Sequence, residues 1–420
     1  MARFGSSGPL GKLARWRYAV VGVLAAGAAV APCPLSAEPL QFSISARTGV
    51  HRNENFFRNA LNVEEKDLGG LGLTFKVGQQ RPRTDFQIEY VPSFQREFDS
   101  PHYTAEDHRL SATLKRRLSD RTRLELDERL LRSDVESDLQ AGVTTGAFLV
   151  VPRTERFEHG LLLRLERDLG RRRGLELGII HELYEYEATR LSDGQVFGAL
   201  GGYSWRKQDE SRLQALARVL RHEQSGRDDT DIGSLGLRYL RPVDRWHEFI
   251  FDVGAFQARG PEDPTVRNND ETRNGWYGGA TYSWTTPRLA TSSVSLRRDV
   301  VPAPGIGFST VADMGHLITT LNLGSAVRLD LAGLGARYRR IFLEEEVTES
   351  LTGTARLRWE VRPGFELMAG YGRVHQRSDS PALDDLDYNR YMIGSSFLLY
   401  RRGPGPERPG TAPMPGTLGR

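Results

Sequence analysis

The residue types that most often do chemistry are sparse and scattered in this chain. There is one cysteine, Cys33, and the nine histidines lie at positions 51, 102, 108, 159, 181, 222, 247, 316 and 375. No two histidines form a His-x-x-x-His or His-Glu-x-x-His pair, and the sequence has neither a Gly-x-Ser-x-Gly motif nor a phosphate-binding loop. The sequence therefore predicts no catalytic, metal or cofactor-binding residues. Ser, His or Asp brought together from distant positions stays open as an alternative.

Three acidic clusters, at residues 228–231, 344–346 and 384–387, also have side chains that could bind a metal. Carboxylate oxygens are ligands that calcium prefers. Acidic residues in polar stretches also simply solvate a loop. We interpret the clusters in the second way and predict no metal.

The remaining charged residues alternate with apolar ones, and this alternation identifies the elements. In residues 351–361, one set comprises Leu351, Gly353, Ala355, Leu357, Trp359 and Val361, and the other comprises Thr352, Thr354, Arg356, Arg358 and Glu360. Side chains at i and i+2 share one face of a strand. The pattern therefore indicates strands with one apolar face and one charged face.

The same pattern recurs along the chain and predicts eighteen strands. They lie near 40–51, 66–78, 84–95, 107–118, 122–134, 155–168, 174–187, 195–206, 211–223, 230–240, 247–257, 273–284, 289–298, 312–323, 325–339, 348–361, 365–376 and 389–400. Short turns alternate with longer polar loops, which is typical of outer-membrane barrels. We predict an all-β fold over residues 38–400, a closed antiparallel up-and-down transmembrane β-barrel of about 18 strands. A secreted all-β sandwich is the alternative.

Helical transmembrane bundles are excluded by composition. Apolar residues make up 39% of the chain and charged residues 26%, and the mean hydropathy is −0.46. A spanning helix needs roughly 20 mostly apolar residues in succession.

The N-terminal 37 residues have the features of a secretory signal peptide. Arg3, Lys12, Arg15 and Arg17 precede an apolar run that ends in small residues at Ser36 and Ala37. Cleavage after Ala37 would remove four positive charges and the only cysteine, taking the net charge from +3 to about −1. A near-neutral mature chain gives no reason to expect nucleic-acid binding. A single membrane anchor is the alternative reading of the segment.

The C-terminal segment 401–420 is rich in proline and glycine. We predict that it is disordered and lies in the periplasm, together with the N-terminus.

Charged side chains on the polar face are the candidate functional residues. The predicted lumen-facing candidates are Arg109, Arg123, Arg164, Arg218, Arg238, Arg328, Arg356, Arg358 and Glu360. Guanidinium groups donate fork-shaped hydrogen bonds to carboxylates and hydroxyls. The simpler alternative is that opposite charges pair across strands and only solvate the wall.

Two strands depart from the alternation. Val327, Leu329 and Leu331 lie in one phase, whereas Leu334 and Tyr338 lie in the other. A β-bulge at Ala332-Gly333 would restore one apolar face. The last strand is apolar on both faces, and we predict that its final residue, Tyr400, faces lipid.

Residues 292–400 resemble the outer-membrane β-barrel porins found with bacterial exopolysaccharide clusters. The resemblance rests on Ser295-Leu296-Arg297-Arg298, on the hairpin at 364–374, and on Asp387-Tyr388-Asn389-Arg390-Tyr391. It covers about a quarter of the chain, and the segment after Tyr400 departs from barrels that end at an aromatic residue. It implies an integral outer-membrane conduit, in some members the exit of a polysaccharide export pathway.

The expected function is therefore a non-enzymatic channel in the cell outer membrane. The resemblance favours an exit conduit for a secreted polysaccharide, with lipid, periplasmic co-polymerase proteins and the polysaccharide as partners, and with no cofactor. A general porin for small polar solutes is the alternative, and an outer-membrane enzyme or structural barrel is a weaker one.

Overall fold

The computed structural model describes residues 40–54, 65–98, 104–133, 154–188, 191–207, 209–224, 229–261, 270–286, 288–303, 308–342, 347–379 and 385–402. The strands in these ranges are β1 (Gln41–Asn53), β2 (Lys66–Arg81), β3 (Thr84–Glu97), β4 (Thr104–Ser119), β5 (Thr122–Ser133), β6 (Arg156–Gly170), β7 (Arg173–Tyr186), β8 (Gly194–Arg206), β9 (Arg212–Gln224), β10 (Thr230–Pro242), β11 (His247–Pro261), β12 (Asp270–Thr286), β13 (Ala290–Ala303), β14 (Phe308–Asn322), β15 (Val327–Arg340), β16 (Val347–Arg362), β17 (Phe365–Ser378) and β18 (Leu386–Arg402). Within the same ranges, no helix is both long and apolar enough to cross a membrane.

The eighteen strands form one closed antiparallel barrel. Each strand pairs with the next along the chain, and β18 pairs with β1, so the strands close into a ring. This confirms the predicted fold class and strand number. The predicted signal peptide and most of the predicted C-terminal segment lie outside the described residues, but Arg401 and Arg402 belong to β18 rather than to that segment.

The connections after the even-numbered strands all lie at one end of the barrel, because successive strands run in opposite directions, and none of them is longer than five residues. An example is the turn at Arg362-Pro363-Gly364. Gly364 adopts a φ of 81°, a conformation that glycine reaches without steric cost. Its carbonyl accepts a hydrogen bond from the Leu398 amide at 2.7 Å. We call this the short-turn end and the opposite one the long-loop end.

The predicted bulge at Ala332-Gly333 is wrong. β15 pairs with β14 and β16 in an unbroken register through these residues. Leu334 and Tyr338 consequently face the side opposite to Leu329. Their phase change reflects an apolar patch on the inner side of the barrel, where Ala336 and Tyr338 pack with Met314.

A register shift does occur between β1 and β18, at Ile44 and Ser45. It changes the phase of the last strand beyond Leu398. After the shift Tyr400 lies opposite Ile44, with its ring centroid 5.9 Å from that of Phe42 and 48% of its surface exposed. Tyr400 thus faces outward, as predicted.

Candidate functional site

A contact between distant strands identifies the inner face of the barrel. The Arg218 guanidinium on β9 donates to Asp299 on β13, with Nη2 2.7 Å from Oδ1. Three strands separate β9 from β13 in the sheet, so these two side chains can meet only inside the barrel. Directly opposed residues on paired strands share a face. The pairing register therefore extends this assignment around the whole ring.

The opposite, outer face is apolar and open to its surroundings. Leu235, Leu296 and Ile393 are 68%, 65% and 71% exposed. Aromatic pairs flank this apolar surface at both ends. Those towards the short-turn end include Tyr203–Trp205 and Tyr282–Trp284. Those towards the long-loop end include His181–Phe197 and Tyr371–Tyr391. An apolar band between two aromatic girdles is the exterior of a membrane-spanning barrel.

Ion pairs cover much of the inner face. Lys76 Nζ is 2.5 Å from Glu89 Oε2, Lys115 Nζ is 3.0 Å from Glu125 Oε1, and Arg238 Nε is 3.3 Å from Asp252 Oδ1. Each pair joins neighbouring strands at directly opposed positions. The inner wall is therefore a mixed-charge surface in which much of the fixed charge is neutralised locally.

The register places the nine candidate residues on this inner face, in different settings. Arg164 is buried and lies between Glu125 and Glu176 at 3.5 and 3.1 Å, whereas Arg109 is 3.3 Å from Asp107 on its own strand. Arg218, Arg238 and Arg358 form ion pairs with Asp299, Asp252 and Asp330, the last at 2.7 Å. Arg356 and Arg123 lie opposite acidic residues, Asp330 and Glu166. Arg328 and Glu360 lie opposite residues of like charge, Arg358 and Glu366.

Arg123 also lines a small recess at the short-turn end of the lumen. Glu166, Ser204, Arg206 and Arg212 form other parts of its wall. The sequence indicates charges on each of these strands, but only the pairing of β5 through β9 brings them together.

The end of the hairpin formed by β13 and β14 leaves the barrel wall. The ladder between β12 and β13 stops at the pair Gly278–Arg298. Beyond that pair β12 continues alongside β11 to Asp270, while β13 continues alongside β14 to Ala303. We call residues 299–303 and 308–312 the tucked hairpin, because they fold into the lumen. The sequence predicts residues 300–310 as a loop, and extended strands take the place of most of it.

Polar contacts anchor the tucked hairpin to the inner wall. Asp299 is 4% exposed at its side chain and contacts both Arg218 and Arg297, at 2.7 and 2.6 Å. Farther along, Ser309 Oγ lies 3.1 Å from Nδ1 of the buried His222 on β9. The hairpin thus lies inside the barrel between β13 and the inner face of β9, where it narrows the lumen.

An apolar cluster also packs the tucked hairpin against the inner wall. Val300 of the tucked hairpin and Ile341 beyond β15 pack with Leu220, Ile232 and Phe256 of the inner wall. The alternation in the sequence does not predict this patch, because it indicates a charged inner face for every strand. The available signals were the phase change in β15 and runs such as Val300-Val301, which are apolar on both faces.

The contact between His222 and Ser309 does not form an accessible catalytic pair. His222 and Ser309 are only 5% and 3% exposed, because they lie where the tucked hairpin meets the inner wall. Among the described residues no group of three or more His, Cys, Asp or Glu side chains is arranged to hold a metal ion. The acidic cluster at 344–346 lies wholly outside those residues, as do positions 228 and 384 of the other two clusters.

Comparison with known proteins identifies structural likeness only. No family model matches the chain, and no curated protein matches it. Similar solved structures include OccK2 (OpdF) of Pseudomonas aeruginosa, with 13% identity, a TM-score of 0.46, and 86% of this chain and 98% of that one covered. A BenF-like porin from Pseudomonas fluorescens Pf-5 and OccAB3 of Acinetobacter baumannii give 12% and 10% identity and TM-scores of 0.44 and 0.43, each with 86% of this chain and 99% of the other covered.

Proposed function

We propose that this chain is an integral channel of the cell outer membrane through which small polar solutes diffuse. The observation that carries the proposal is a closed 18-stranded barrel whose outer face is apolar and whose inner face is lined by ion pairs. Barrels of 16–18 strands enclose an aqueous channel. Outer-membrane barrels have their short turns on the periplasmic side. We therefore place the short-turn end of this barrel and both chain termini in the periplasm.

The chemistry of the wall suits weak and repeated contacts. Pairs such as Arg238–Asp252 and Arg358–Asp330 offer a donor and an acceptor side by side. A solute hydroxyl or amide can donate to the carboxylate or accept from the guanidinium, and a solute carboxylate can accept from the guanidinium. A polar solute therefore meets many shallow sites rather than one deep site, which favours passage over retention.

The tucked hairpin favours small solutes over a polymer. It joins β13 to the inner wall of β9 through Asp299–Arg218 and Ser309–His222, so it occupies part of the lumen at that level. A polysaccharide conduit, with periplasmic co-polymerase proteins as partners, is the function implied by the resemblance of residues 292–400. An extended polymer would have to pass this obstruction along its whole length.

Two assays separate these functions. Purified protein in liposomes should admit monosaccharides and amino acids, seen as swelling, while excluding oligosaccharides progressively with size. A deletion strain should take up small polar solutes more slowly and keep its surface polysaccharide. Loss of surface polysaccharide with unchanged solute influx would instead establish the export conduit. Failure to admit any solute would contradict the channel itself.

A further inference from the structure

The tucked hairpin leaves part of the barrel wall open. Residues 270–277 of β12 pair with β11 on one side, from Asp270–Pro261 to Tyr277–Gly254. On the other side their ladder partners end at Arg298, and no described residue continues that pairing. An exposed strand edge carries unpaired amide and carbonyl groups that readily accept another strand.

The sequence of the tucked hairpin is compatible with pairing along this edge of β12. Continuing the register beyond Gly278–Arg298 would place Asp299 opposite Tyr277 and Val300 opposite Trp276. Tyr277 faces inward, with its ring against the wall at Gly236 and Gly254, and Trp276 is 57% exposed on the outer face. Asp299 would therefore face the lumen, and Val300 would face outward beside the tryptophan. Polar and apolar residues both reach suitable environments.

The same residues are also satisfied in the tucked position. Val300 is 1% exposed within the apolar cluster on the inner wall, and Asp299 is bonded to Arg218 and Arg297. Arg297 lies on the wall-paired part of β13, so its contact with Asp299 requires no separation of strands. The contacts that must break are Asp299–Arg218, Ser309–His222 and the apolar packing of Val300.

We propose that the tucked hairpin is a gate with two positions. In the tucked position it lies against the inner wall, narrows the lumen, and is held by Asp299–Arg218 and Ser309–His222. In the second position it pairs with residues 270–277 of β12, which completes the wall and widens the lumen. Each position satisfies groups that the other leaves open, as expected of a bistable element. The gate rests on the channel function proposed above and adds its regulation.

Reversible cross-linking can trap each position. In a Cys33→Ser background, His222→Cys with Ser309→Cys would hold the tucked position, and Trp276→Cys with Val300→Cys would hold the wall-paired one. Directly opposed residues of antiparallel strands lie about 4.5–5.5 Å apart, within reach of a short bifunctional methanethiosulfonate. Leu317→Cys with Gly333→Cys is the matched control, because this pair is opposed on the outward face of β14 and β15, where a side chain at Gly333 meets no neighbour.

Cross-linking is read by mass spectrometry and conductance in planar bilayers. We expect both test pairs to cross-link, with conductance lowered several-fold by the tucked lock, raised by the wall-paired lock, and restored by reductant in each case. The control pair should cross-link without changing conductance. Absence of cross-linking at 276 and 300, or equal conductance of the two locked forms, would overturn the gate.

These results also separate the gate from the channel. Cross-linking at positions 276 and 300 reports the movement whether or not the barrel conducts. Cross-linking of that pair in a barrel that passes no ions in any state would contradict the channel and retain the movement. A conducting barrel with no response to either lock would contradict the gate alone.

Discussion

Substitutions at adjacent residues of β16 test which side of the barrel wall each side chain faces. Leu357 is 42% exposed on the outer face, whereas its neighbour Arg356 lies opposite Asp330 on the inner face. Leu357→Arg should impair assembly, because arginine on the lipid face costs about 2–4 kcal/mol near the bilayer midplane. Arg356→Ser should assemble normally, since a hydroxyl is readily solvated in an aqueous lumen.

The comparison is made by measuring the amount of folded protein in outer-membrane fractions. Equal yields of the Leu357→Arg and Arg356→Ser proteins would mean that the assignment of inner and outer faces is wrong. The two positions are adjacent on one strand, so they share the same depth and the same neighbouring strands. Any difference between them reports the face alone.

At the scale of elements, glycines on β10 and β11 make room for an aromatic side chain on β12. A Cβ at Gly236 would collide with the ring of Tyr277, while a side chain at Gly233 on the outward face would meet nothing within 4 Å. Gly236→Val should therefore destabilise the barrel by about 1–3 kcal/mol, the usual cost of overpacking. Gly233→Val should be nearly neutral.

Urea unfolding in detergent, followed by tryptophan fluorescence, measures this difference. The two substitutions lie three residues apart on the same strand and make the same change in β propensity, so propensity cancels between them. Equal midpoints for Gly236→Val and Gly233→Val would contradict the packing of Tyr277 over the glycines.

At the scale of the whole molecule, closure of β18 on β1 removes both edges of the sheet. A closed barrel keeps its backbone hydrogen bonds out of reach of detergent, so unheated protein should migrate faster in detergent gels than boiled protein. It should also stay with the membrane after washing with high salt. Extraction by salt alone, or identical migration before and after boiling, would contradict an integral barrel.

The sequence determined most of the wall by itself. Alternation with a period of two locates strands and their two faces from neighbouring residues alone, and alternating connection lengths place the short turns at one end. This local information was enough for all eighteen strands, and it predicts inward-facing charges such as Arg164 and Arg358. It was also enough to predict a closed sheet, because an apolar outer face in lipid tolerates no unpaired edge.

Only the tertiary structure decided how the lumen is filled. The meeting of Asp299 with Arg218, and of Ser309 with His222, joins residues 81 and 87 positions apart in the chain. No local pattern specifies such a contact, since it depends on where β13 stops pairing with β12 and on the diameter of the closed ring. The phase change at Leu334 and Tyr338 illustrates the limit. Read locally it suggested a bulge, whereas the unbroken register shows apolar side chains turned inward to pack with Met314 and its neighbours.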